Sequence, residues 1–288
     1  MRAVLTVLAA LLASACTAAL PSTPPQAISA DPFYTRHIDA GGIPILSSDR
    51  VDPRALVAAR DMVMDMFSHR PDLRRYLAAQ DYRIAIIGLE EALLDLPENR
   101  DWTKPPPDDP RLTRCERKLY DERIGSLTTR EYWDNRARAI GGKRMVGSEE
   151  DILGFLASRY FGETIFVHEL GHSVLFAIEG VDPALYAQVE AAYANALQTG
   201  LWKDEYTSTT IQEYWAEGTQ FWFESNRLQS FGGRRILSHE DLAAYDPMLY
   251  AALREAYGRN HRLKSDPFYL HPDRVPRGEV PENTAEVC

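Results

Sequence analysis

The run His168-Glu169-Leu170-Gly171-His172 is the part of this chain with the plainest chemistry. Residues four apart on a helix share a face, so the two imidazoles project side by side and can grip one zinc ion. Glu169 follows the first histidine, where a carboxylate can take a proton from a metal-activated water. The pattern also arises by chance, and two helix histidines then amount to polar surface. The neighbours argue otherwise. Ile165, Phe166, Val167, Leu170, Val174, Leu175 and Ile178 recur at helical spacings. Gly162-Glu163-Thr164 fits the start of that helix and Gly180 fits its C-cap. A helix this apolar belongs in a core, where two histidines and a glutamate are costly to bury unless a metal satisfies them.

A catalytic zinc usually takes three protein ligands and keeps one position for water. The third is expected from Thr210 to Trp222, which reads as an amphipathic helix with Glu213 and Glu217 one turn apart. Glu213 is the expected ligand. Glu217 is expected to accept a hydrogen bond from the distal nitrogen of a ligand histidine. In the competing reading, Thr210 and Glu213 form a capping box and Glu217 is a solvated carboxylate. The surrounding Trp215, Phe221, Trp222 and Phe223 favour the ligand reading, because acids are seldom incidental among such residues. Between the two motifs, Asp182-Pro183 opens a helix through Thr199 that can return the chain to the metal.

This set resembles the gluzincin zinc metallopeptidases, in which H-E-x-x-H is followed by E-x-x-x-E or E-x-x-x-D; thermolysin is a well-known member. It is more similar to the catalytic domain of anthrax lethal factor and its relatives. That domain carries H-E-x-G-H, then a tyrosine, then glutamate, two aromatics, alanine and glutamate. The counterparts here are His168 to His172, Tyr206, and Glu213-Tyr214-Trp215-Ala216-Glu217. The likeness covers residues 160–225 at motif level. It implies an α+β, mainly helical fold with a small sheet and an H-E-x-x-H active-site helix. It implies one zinc ion on His168, His172 and Glu213, with Glu169 as general base. Tyr206 would donate a hydrogen bond to the oxygen that gains charge. The implied reaction is hydrolysis of a peptide bond in a peptide or protein. The chain lacks the toxin's additional domains, so the toxin's target preference does not carry over. Two other functions fit the same residues. One is an amidase acting on a non-protein amide of the cell envelope, and the other is a metal-binding protein of this fold with little catalysis. The intact Glu169 argues against the second.

The N-terminus bears on the compartment. Met1-Arg2, an apolar run from Ala3 to Leu12, and Ala13-Ser14-Ala15 read as an export signal over residues 1–15, too short to span a membrane. Cys16 then has two fates. It is lipidated, making a periplasmic or outer-membrane lipoprotein, or it is incidental in a secreted protein. Residues 16–30, with Pro21-Ser22-Thr23-Pro24-Pro25-Gln26, read as a flexible tether, and residues 31–288 as one domain. Of three cysteines, Cys115 and Cys288 are left, an even pair that suits a disulfide in an oxidising compartment. A net charge of −10 and a pI near 5.3 argue against nucleic acid as a partner. Nothing in the sequence points to an oligomer, and any membrane contact would come through the lipid.

The remaining elements read more coarsely. A short strand is expected at residues 43–46 and another at 82–88. Helices are expected from Asp52-Pro53 to about Met66, after Pro71, over 129–139, and over 238–257 with a break near Pro247. The rest of 31–50 reads as irregular. Residues 96–112 read as an exposed Pro/Asp loop, and the Pro-rich tail from Asp266 as a surface cover. Lys143 to Gly147 reads as an edge strand near the metal, able to pair with an extended substrate.

Overall fold

The computed structural model describes residues 20–110, 112–282 and 284–285. The expected export signal, Cys16 and Cys288 therefore lie outside the described residues. The fold is α+β, with more helix than strand. One sheet has four strands in the order β1 (Arg36–Asp39), β2 (Pro44–Ser47), β3 (Arg83–Ile87) and β4 (Arg144–Ser148). β1 and β2 form an antiparallel hairpin around Gly41-Gly42, where φ of +65 and +98 suits glycine. β2, β3 and β4 run parallel. α1 (Pro53–Met66) and α2 (Pro71–Ala79) link β2 to β3. α3 (Arg114–Lys118) and α4 (Thr129–Arg136) lie between β3 and β4. After α5 (Glu149–Ile152) come α6 (Ile165–Val181), α7 (Pro183–Thr199) and α8 (Ile211–Trp222). A small hairpin of β5 (Gln229–Phe231) and β6 (Arg234–Ile236) follows, and then α9 (His239–Tyr245) and α10 (Pro247–Tyr257).

Three of these helices start in one way. Asp52, Asp182 and Asp246 each stand before a proline, and each carboxylate accepts a backbone N–H of the first turn. α6 is the central element. Its Phe166, Val167, Leu170, Val174, Ala177 and Ile178 are buried in a single core with α1, α2, α8 and α10. Gly147 of β4 leaves room for the Phe166 ring, which would stand 2.7 Å from a Cβ there.

Several expectations fail for tertiary reasons. Gly180 does not end its helix; α6 runs on to Val181, and Asp182 separates it from α7. The glycine is there because the Tyr76 hydroxyl would lie 2.3 Å from a Cβ at that position. Residues 31–50 are less irregular than expected, since Arg36–Asp39 is a strand. The segment before it is no free tether, because Ser22 exchanges both backbone hydrogen bonds with His37, at 2.8 and 2.7 Å. The 96–112 loop is pinned. Leu96, Asn99, Asp109 and Leu112 are buried, and the Lys104 ammonium donates to the carbonyls of Ile124 and Gly125. α4 stops at Arg136 because the chain becomes extended at Ala137 and folds back along β4. The tail is woven into the body: Phe268 and Arg274 are buried, and Arg274 Nε donates to Asn226 O at 2.8 Å. Cys115 is disulfide-bonded, while Cys288, its expected partner, is outside the described residues. No helix among the described residues is long and apolar enough to cross a membrane.

Asp266 of the tail anchors the entry to α6, accepting from Thr164 Oγ1 at 2.6 Å and Phe268 N at 2.8 Å. Its other oxygen is buried without a partner among the described residues. Burial pushes its pKa from 3.8 up to about 6. The folded state therefore holds this proton more tightly than the unfolded chain does. Stability is lost as pH rises from about 4 through about 6, by on the order of 3 kcal/mol once ionisation is complete above that pH. Asp266→Asn keeps the accepting oxygen and removes the charge. Thermal unfolding of Asp266→Asn is expected at higher temperature than wild type at pH 8 and at the same temperature near pH 4.

Candidate metal centre

α6 and α8 cross at Gly171, where an added Cβ would lie 3.2 Å from Thr219 Cβ and 3.3 Å from Ala216 Cα. This close approach sets the imidazoles of α6 against the first turn of α8. The Nε2 atoms of His168 and His172 stand 2.9 and 3.6 Å from one Glu213 carboxylate oxygen. One ligand atom from each of the three residues lies within 4.8 Å of the others. Tetrahedral bonds of about 2.0–2.1 Å place donors about 3.3 Å apart, so this set of two imidazoles and a carboxylate fits an ion such as zinc. Only half of the capping box forms. Thr210 Oγ1 accepts Glu213 N at 3.1 Å, but the Glu213 carboxylate turns to the histidines instead of the helix start.

The distal nitrogen of His168 bonds to Gln220 Oε1 at 3.0 Å, while Gln220 Nε2 donates to Thr164 O at 3.2 Å. That second bond fixes the amide, so its oxygen must accept from Nδ1–H and Nε2 is left free for a metal. Glu217, the expected acceptor, also faces this nitrogen but from farther off. Its Oε1 stands back at 3.5 Å from the ring, and its other oxygen accepts from Asn226 and Gln229 at 2.7 and 2.9 Å. Gln220 is one turn beyond Glu217 on the same face of α8, which was the signal available to find it. Gln220→Leu is expected to weaken metal binding by about 10- to 100-fold, as read by competition with a chromophoric chelator. The His172 ring is held in turn by the Gln212 carbonyl.

Glu169 faces the turn at Gly141-Gly142. The Gly141 N–H donates to its carboxylate, and a Cβ at Gly141 would stand 3.0 Å from Glu169 Oε2 and 3.3 Å from the His172 ring. Burial raises the Glu169 pKa to about 7. Burial also disfavours charge on both histidines. His168 is nevertheless raised, by its bond to Glu213 and by the surrounding carboxylates, whereas His172 is lowered by burial and by the neighbouring His168. The site thus favours one concentrated positive charge, as a cation site should. Tyr206 lies on a single turn before α8. Its hydroxyl bonds to the Glu213 carboxylate, and its ring is 6.4 Å from that of His168.

His168, Glu169, His172, Tyr206, Glu213 and Glu217 line a cleft of about 650 Å³, whose other wall is Ala137 and Ala139 to Gly142 with Tyr132 and Trp133 beyond. The expected edge strand forms as β4, but its outer edge is covered. Ile140 and Val146 exchange backbone hydrogen bonds of 3.1 and 2.9 Å, so the 137–142 segment faces the cleft instead. Arg138 secures this segment through Glu150, at 2.7 Å, and the Gly88 carbonyl, at 2.8 Å. A second group, Glu224, His239 and Glu240, differs in kind. It contains one histidine, both ring nitrogens of which face carboxylates, and Arg274 stands 3.8 Å from Glu224.

No family model matches the chain, and no curated protein matches it. Among solved structures, the chain is similar to the Pro-Pro endopeptidase of Paenibacillus alvei. That likeness has 15% identity and a TM-score of 0.45, over 74% of this chain and 96% of that one.

Proposed function

We propose that this protein is a zinc-dependent peptidase acting on extended peptide segments. One observation carries the reading. His168, His172 and Glu213 converge from two helices at the wall of an open cleft, with the carboxylate of Glu169 beside them. These three residues would hold the ion. Bound zinc would supply Lewis acidity and bring the pKa of a water ligand near neutrality. Glu169, positioned by the Gly141 amide, accepts the proton of the attacking water and delivers it to the leaving nitrogen. The Tyr206 hydroxyl turns from Glu213 to the substrate oxygen as charge gathers there. Gln220 keeps His168 in the tautomer that leaves Nε2 free. Backbone groups of residues 137–142 run along the cleft, where an extended chain can lie beside them. On the reading of residues 1–16 above, the enzyme acts after export, either free or held by a lipid on Cys16.

The test is digestion of a mixed peptide library by the purified protein. Cleavage is expected, to be abolished by a chelator and restored by added zinc. Loss of no peptide, together with hydrolysis of cell-envelope fragments, would replace the peptidase reading with the amidase one.

A further inference from the structure

The turn that carries Tyr206 depends on residues from the far end of the chain. It is entered through two left-handed residues, Trp202 at φ +56 and Asp204 at φ +63. Glu205 is fully buried, and neither its Oε1 nor the Thr207 hydroxyl has a partner among the described residues. The turn's own hydroxyls reach only its carbonyls: Ser208 Oγ donates to Glu205 O at 2.8 Å and Thr209 Oγ1 to Tyr206 O at 2.7 Å, which leaves the Tyr206 N–H and the Glu205 carboxylate to be held from elsewhere. Thr284 holds the Tyr206 amide and the other Glu205 oxygen. Its hydroxyl donates to Glu205 Oε2 at 2.5 Å and accepts Tyr206 N at 2.8 Å. Next to it, Ala285 N donates to Asp204 O at 3.0 Å. Thr284 and Ala285 thus reach the Asp204 carbonyl, the Glu205 carboxylate and the Tyr206 amide, and the Thr284 backbone N–H adds a second bond to Glu205.

We propose that Thr284 is a positioning residue for Tyr206, setting the turn so that the phenol faces the ligand carboxylate and the cleft. This rests on the reading of Tyr206 as the donor to the substrate oxygen. Without the threonine hydroxyl, Tyr206 N loses its partner and the Glu205 carboxylate keeps only the Thr284 backbone N–H, so the turn can relax. Small displacements of a group that acts only in the transition state lower turnover more than binding.

The experiment uses the full chain and a peptide that the wild type cleaves, with Thr284→Val, Thr284→Ser, Tyr206→Phe and the Thr284→Val/Tyr206→Phe double variant. Hydrogen exchange at the Tyr206 amide is followed alongside. Thr284→Val is expected to lower kcat by about tenfold with KM unchanged, and Thr284→Ser to restore it. In the Tyr206→Phe background, Thr284→Val should add nothing, and exchange at Tyr206 should accelerate whenever the hydroxyl is absent. A wild-type kcat for Thr284→Val, or the same tenfold loss on top of Tyr206→Phe, overturns the proposal and leaves the role of Tyr206 standing. A wild-type kcat for Tyr206→Phe removes the role of the tyrosine and the proposal with it. Unchanged exchange at Tyr206 in Thr284→Val overturns the positioning whatever the enzyme's substrate is.

Discussion

Glu169→Gln is expected to reduce peptide hydrolysis by about 10²- to 10⁴-fold while the protein still binds its full complement of metal. Glutamine has the shape of glutamate, and its amide oxygen can still accept the Gly141 N–H that orients the native carboxylate. The three metal donors belong to other residues and are untouched. What disappears is the capacity to take a proton. Two measurements are needed together, kcat on a peptide that the wild type cleaves and metal content per chain. A fully metallated variant within tenfold of wild-type rate would show that the proton goes elsewhere, and the assignment of Glu169 would fall.

The second large effect is expected from a residue with no side chain. Gly171 sits where α6 meets α8, and a Cβ there would already press on Thr219 and Ala216 at 3.2–3.3 Å. Gly171→Val adds two further carbons to a contact made partly by backbone. Overpacking of this kind costs about 1–3 kcal/mol, enough to lower the unfolding temperature by several degrees. The larger consequence is local. The helices must separate, and His168 and His172 ride on one while Glu213 rides on the other. Metal affinity is expected to fall by at least about 100-fold, with Gly171→Ala intermediate. Calorimetric titration with zinc and a thermal melt on the same samples check this. Native affinity at the native melting temperature would mean that the helix crossing does not set the donor spacing.

Features carried by neighbours in sequence were readable from the sequence. Asp52-Pro53 and Asp182-Pro183 marked helix starts because the capping carboxylate and the proline act within one turn of each other. His168 and His172 were paired by helix periodicity alone. Glu213 could be proposed because its chemistry is unusual among Trp215, Phe221 and Trp222, and the structure places its carboxylate against both histidines. Features decided between distant elements were not readable. Gly180 could equally mark a helix end or a close approach, and Tyr76 decides the matter. Arg36-His37-Ile38-Asp39 has a single aliphatic residue, and its strand exists through pairing with β2 and with Ser22. Gln220 is an ordinary helix residue until the distance between α6 and α8 brings it to His168, whereas the charge of Glu217 stands out from the sequence alone. The tail looked like a surface cover because nothing local in residues 266–274 signals that Arg274 threads between carbonyls of other segments.

The anchoring of the cleft wall has a consequence for ionic strength. The Arg138–Glu150 pair that holds residues 137–142 has side chains only 13% and 4% exposed. Dissolved ions screen charges that face solvent and have little access to buried ones. Concentrated electrolyte should therefore weaken exposed pairs such as Arg130–Asp95, at 49% and 32%, and leave the lip beside Glu169 in place. A cleft built this way keeps the shape of its entrance in brine as in dilute buffer.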